Sequence, residues 1–147
     1  MVISRRSEPW WSDRRKIWLD VRMSIPVELD VLEAKTGEYG WAYLLTVGDD
    51  LRPKIVACPP EWHDGLLCFA AGGGSARNAG ARSAVTITFP PLEPDGYTLI
   101  VDGDASIDDS GDAPRVHVAP TGAVLHRPAP AGFTNTATGC SHDCAPV

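Results

Sequence analysis

Between residues 40 and 127 the chain is a succession of short β-forming runs, each closed by turn chemistry. That spacing leaves no room for the crossover helices of a parallel sheet and favours an all-β barrel or sandwich. Trp41-Ala42-Tyr43-Leu44-Leu45-Thr46-Val47 is apolar, aromatic and β-rich, and Gly48-Asp49-Asp50 turns it. Residues 54–58 form a second run, ended by Pro59 and Pro60. His63-Asp64-Gly65 leads into residues 66–70, and its Asp-Gly step is a strong hairpin signal. Val85-Thr86-Ile87-Thr88-Phe89 alternates with one apolar face. Tyr97, Leu99, Val101, Gly103, Ala105 and Ile107 share one side of a long strand. Val116 and Val118 mark a further strand, and residues 122–127 give the last, for about seven in all.

Two segments break the β pattern. Ser24 can cap a helix and Pro26 fits a first turn, so residues 26–36 are expected to form a short helix that stops at Gly37. A second short helix is expected over residues 76–82, after Gly72-Gly73-Gly74-Ser75.

The glycine run is the most informative place for chemistry. Glycines let backbone N–H groups approach a ligand, and a helix N-terminus adds the positive end of its dipole, which together suit an anion. Ser75 can donate a hydroxyl, Arg77 offers a planar charged fork to a phosphate, and Asn78 can brace the loop. No Gly-Lys-Ser/Thr follows, so this is not a P-loop.

The order of these segments resembles the pyridoxamine 5′-phosphate oxidase-like family. Residues 43–56, with their acidic turn and Arg52-Pro53, are similar to the first hairpin of that family. His63-Asp64-Gly65-Leu66-Leu67-Cys68-Phe69-Ala70 resembles its third strand, and Ser75-Ala76-Arg77-Asn78 its phosphate loop. Residues 97–105 and 116–128 look like its long fifth strand and closing pair, so the likeness spans residues 24–128. The resemblance implies a split β-barrel of about six to seven antiparallel strands that pairs as a homodimer. It implies FMN, or the deazaflavin F420, in clefts at the dimer interface, with hydride transfer to or from a small organic substrate. Carried over, the second strand lines the ring with backbone groups at Val56, Ala57 and Cys58, and Gly73, Gly74, Ser75, Arg77 and Asn78 hold the phosphate.

One departure stands out. Gly73 and Gly74 occupy positions where tight flavin binders of the family place Arg or Lys. A lost charge-assisted contact removes about 1.5–3 kcal/mol. Arg52, Lys54 or Arg82 would then have to share the phosphate, or the barrel would hold a ligand such as haem without turnover. No catalytic residue is identifiable; His63 and His126 are the candidates for proton transfer.

The rest of the sequence bounds these readings. With 147 residues, 19 acidic against 13 basic and a net charge of −6, the chain fits one domain and lacks the basic excess of a duplex nucleic-acid binder. No run approaches the roughly 18 apolar residues of a membrane span. Residues 1–22 read as an extension carrying Trp10, Trp11 and Trp18 among arginines, with no secretory signal, and Met23 reads as a natural start. The domain is expected over 23–128 and a Pro/Ala/Gly/Thr-rich tail over 129–147. A cytoplasmic protein with reduced thiols follows. Cys58 and Cys68 fit buried strand positions. Cys140, His142 and Cys144, with Asp143, form a weak candidate metal or disulfide site in the tail.

Overall fold

Asp64 and Gly65 both have positive φ, 48° and 77°, and join β4 (Glu61–His63) to β5 (Leu66–Phe69) in a two-residue hairpin. Two left-handed residues in a row match the twist of the flanking strands, which is why the Asp-Gly step is legible. The computed structural model describes residues 24–128, and residues 24–127 form one compact unit.

Eight strands make one antiparallel sheet: β1 (Ser24–Pro26), β2 (Tyr43–Val47), β3 (Pro53–Ala57), β4, β5, β6 (Ala84–Phe89), β7 (Thr98–Asp108) and β8 (Arg115–His126). The strand order is β3-β2-β6-β7-β8-β5-β4, with β1 also on β8. β8 pairs with β7 along its length, with β5 through residues 116–118 and with β1 through residues 124–126. The inward residues of these strands, led by Leu44, Phe69, Ile87, Phe89, Leu99, Val101, Val116 and Val118, make one core. The architecture is the all-β split barrel expected from the sequence, with two short helices, α1 (Leu32–Thr36) and α2 (Gly73–Ala81).

Four local expectations are corrected. Ser24 does not cap a helix: Ser24 to Pro26 pair with β8, and Ser24 Oγ lies 3.1 Å from His126 Nδ1. The helix expected over 26–36 shrinks to a 3₁₀ turn, Leu29–Val31, followed by α1. The two strands expected over 116–118 and 122–127 are one, β8, which ends at His126, because Pro120-Thr121-Gly122 forms a bulge rather than a turn. Gly122 faces Asp102 and Pro120 faces Gly103, leaving Thr121 as the extra residue. A bulge tolerates a proline that lacks a ladder donor. Gly103 is required there, since a Cβ would stand 2.5 Å from Val118 Cγ1. Finally, α2 begins at Gly73, not at Ala76, so two of the glycines lie inside its first turn.

Candidate functional site

Gly72 caps α2 with extended backbone and no side-chain hydrogen bond. Ala76 N–H is the first to find its helical acceptor, Gly72 O, at 3.1 Å. The N–H groups of Gly73, Gly74 and Ser75 therefore face outward without an intrahelical partner, at the positive end of the helix dipole. A Cβ on Gly72, Gly73 or Gly74 would meet nothing within 4 Å, so the approach to these amides is open.

Two elements set this helix end beside the first hairpin. Inside the core, Asn78 Nδ2 donates to Thr46 Oγ1 of β2 at 3.2 Å. On the surface, Arg82 Nη1 pairs with Asp49 at 3.1 Å. The hairpin tip closes through Leu51 N–H to Gly48 O and Gly48 N–H to Arg52 O, both at 2.9 Å. Between hairpin and helix runs a cleft of about 470 Å³, a size typical of small-molecule sites.

Of the expected site residues, Val56, Gly74, Ser75, Arg77 and Asn78 line this one cleft. Gly73 sits in the same helical turn but outside the lining, and neither Ala57 nor Cys58 borders the cleft. Cys58 is buried, its N–H bonded to Ala42 O at 3.0 Å. Sequence reasoning did not place Gly48, Asp49, Asp50 and Ile55 in the wall; the acidic turn after β2 was the available signal.

The electrostatics separate two kinds of cation. Arg82 and Arg52 are engaged by Asp49 and Asp50, the latter pair at 3.6 Å. Arg77 and Lys54 are exposed cleft residues that make no ion pair among the described residues. The cleft thus combines the helix-start amides of Gly74 and Ser75, the Ser75 hydroxyl and two positive charges with no ion pair among the described residues, a donor set suited to a phosphate.

His63 and His126 lie away from this site. His63 is exposed in the β4–β5 hairpin, 3.3 Å from Asp64, and His126 is engaged with Ser24. Tyr97 stacks under the Arg127 guanidinium at 4.5 Å, and Trp41 meets Tyr43 edge-on at 4.6 Å. Cys58 and Cys68 are free and buried. Cys140, His142 and Cys144 lie outside the described residues. Among those described, no group of three or more His, Cys, Asp or Glu could hold a metal ion, and no helix is long and apolar enough to cross a membrane.

No protein-family model matches the chain. It is 40% identical to the uncharacterized proteins Mb0449c of Mycobacterium bovis and MT0457 of Mycobacterium tuberculosis, over 131 residues covering 80% of this chain and 92% of each relative. Among solved structures, the FAD binding protein from Mycobacterium smegmatis matches 71% of this chain and 99% of its own, with TM-score 0.53 and 15% identity. A putative pyridoxamine 5′-phosphate oxidase from Lactobacillus delbrueckii matches 63% of this chain and 89% of its own, at TM-score 0.52 and 16% identity. The heme storage protein HutZ of Vibrio cholerae matches 68% and 94%, at TM-score 0.52 and 13% identity.

Proposed function

We propose that this chain, which belongs to the family of the two mycobacterial proteins and folds as a pyridoxamine 5′-phosphate oxidase-like split barrel, is a flavin- or deazaflavin-dependent oxidoreductase acting on a small organic substrate. The observation that carries the reading is the convergence of α2 amides with Arg77 and Lys54, which make no ion pair among the described residues, in one cleft. FMN or F420 brings a phosphate that this donor set fits. The amides of Gly73, Gly74 and Ser75 would hold its oxygens, and Arg77 and Lys54 would neutralise its charge. Ile55 and Val56 give the cleft an apolar wall suited to a ring and to the exclusion of water. When bound, such a ring supplies the hydride chemistry, leaving position and electrostatics to the protein.

The working form in this reading is a cytoplasmic homodimer. β3 is an edge strand whose Ile55 is 58% exposed, and Tyr43, Leu45 and Val47 share the outer face of β2 beside it. An apolar edge of this kind needs a cover, and a second copy would also narrow the cleft that Ile55 borders.

A second reading is a barrel that stores or carries a ligand without turnover. The side-chain-free Gly73 and Gly74 favour it, as does the likeness to a heme storage protein. Titration of the purified chain with FMN, F420 and haem, followed by cofactor spectra and thermal shift, separates the two. Saturable flavin or F420 binding, weakened ten- to hundredfold by Arg77→Ala, supports the oxidoreductase. A ligand with Kd near 1 μM stabilises by about 2.7 kcal/mol at 100 μM; no shift with either cofactor at that concentration overturns it.

A further inference from the structure

We propose that a second cavity binds a small organic cation of the alkylated-ammonium class. It has a volume of about 330 Å³ and is lined by Tyr39, Trp41 and Trp62, together with the core residue Phe89, which is 1% exposed. The cavity lies at the Trp41 end of β2 and the cleft at its Gly48 end, and the two share no lining residue. The inference stands whether or not a flavin occupies the cleft.

The polar tips of two of the aromatic residues, Trp62 and Tyr39, are already committed. Trp62 Nε1 donates to Thr36 Oγ1 at 2.7 Å, and that hydroxyl donates to Glu33 O at 2.8 Å. Tyr39 Oη donates to Tyr97 O at 3.1 Å. The rings are also braced against one another and their neighbours: Tyr39 against Phe89 at 5.8 Å, and Trp41 against Tyr43 at 4.6 Å. These bonds fix the aromatic walls before any ligand arrives, and leave π surface as what the walls offer.

Charge decides which ligand suits them. Among the described residues no Lys, Arg or His lines the cavity, and Glu33 is the one charged residue that does. Glu33 is exposed, and its carboxylate makes no ion pair among the described residues. The neighbouring ammonium of Lys35 is taken by Glu38 at 2.7 Å. The faces of aromatic rings carry negative potential, so they attract a cation, and best one whose hydration is weakened by alkyl groups. An anion would be repelled by Glu33 and by the rings. A neutral apolar molecule would pack on the rings but gain nothing from the carboxylate.

The test uses the full chain, choline, and 3,3-dimethyl-1-butanol, the neutral carbon isostere of choline, compared by calorimetric titration. Choline is expected to saturate with a millimolar Kd, in keeping with its few heavy atoms, and to bind at least about fivefold more tightly than the alcohol. Glu33→Gln is expected to bring choline down toward the alcohol while leaving the melting temperature unchanged. Trp41→Leu is expected to weaken choline about tenfold. Equal binding of choline and the alcohol would mean an apolar hollow and would overturn the proposal. So would no saturation by about 50 mM choline, or an unchanged choline affinity in Glu33→Gln.

Discussion

Asn78 Nδ2 and Thr46 Oγ1 meet at 3.2 Å with both residues buried, so one polar contact inside the core pins α2 to β2. The flanking Arg77 lines the cleft from the same helix, and that contact holds the helix that carries it. Removing one partner of a buried hydrogen bond costs about 1–3 kcal/mol. Asn78→Ala and Thr46→Val are each expected to lose stability in that range, with a melting point lower by roughly 4–8 °C per kcal/mol. In a double-mutant cycle by urea unfolding, a coupling of about 0.5–1.5 kcal/mol is expected. Strict additivity would mean the two groups only sit near each other.

Gly74→Arg tests whether the proposed phosphate loop is short of side chains. A Cβ at Gly74 meets no atom within 4 Å, and the roughly 0.5–1 kcal/mol gained by replacing glycine in a helix is offset by about 0.3–1 kcal/mol for a cation at the positive end of the dipole. The variant is expected to stay within about 0.5 kcal/mol of the parent and to bind FMN about tenfold more tightly, through one added charge-assisted contact. Arg77→Ala is expected to change stability by less than about 0.5 kcal/mol while weakening FMN. Fluorescence titration beside thermal unfolding separates the two effects.

The legible parts of this chain are those where local chemistry and tertiary structure agree. Asp64-Gly65 makes its hairpin because the turn needs two positive φ values, and β6 buries Val85, Ile87 and Phe89 as the alternation requires. Ser24–Pro26 fails locally: three residues carry no periodicity, and their strand exists only because β8 offers an edge about a hundred residues later. Pro120 and Gly122 look like a turn for the same reasons that make them suit a bulge. In the site, Ser75, Arg77 and Asn78 were readable from a glycine run before a helix. The contribution of Asp49 and Ile55 was not, because it depends on β2 pairing with β6, which sets the first hairpin beside α2.

Burial pushes the Cys58 and Cys68 thiols above their ordinary 9.0 and the Tyr39 hydroxyl above 10.0. The folded state thus holds these protons longer than the unfolded chain does. Their contribution is fully present below about pH 9 and is lost as pH rises through the raised folded values. Urea midpoints are expected to be flat from pH 7 to 8.5 and to fall above pH 9. Thiol titration with an aromatic disulfide at pH 8 is expected to leave Cys58 and Cys68 unreacted until the protein unfolds. Fast reaction of either in the native state would contradict its burial.

Leu51 holds φ at 60° with 72% of its surface exposed. Left-handed backbone costs a side-chain-bearing residue about 1–2 kcal/mol, and this leucine recovers little of that through packing. Leu51→Gly is expected to raise stability by up to about 1 kcal/mol, the gain being trimmed by the entropy of glycine in the unfolded chain. Leu51→Ala keeps the strain and is expected to leave stability within about 0.5 kcal/mol of the parent. A thermal scan ranking alanine above glycine would show that the hairpin tip tolerates this backbone at no cost.

Ile55 is where the proposed dimer can be tested. It lies on edge strand β3, opposite the half-buried Leu45 of β2, and is itself 58% exposed among the described residues. A charge placed there must be desolvated when two copies meet, and like charges across a two-fold interface repel. Ile55→Asp is therefore expected to sediment as a monomer at micromolar concentration where the parent sediments as a dimer. Because Ile55 is exposed in the isolated subunit, circular dichroism should be unchanged. The cleft is bordered by Ile55 as well, so the same variant is expected to lose most of its cofactor affinity if the partner completes the site. A monomeric variant that bound FMN as tightly as the parent would separate the two roles and leave each cleft complete within its own subunit. A parent already monomeric at that concentration would remove the homodimer from the proposed function altogether.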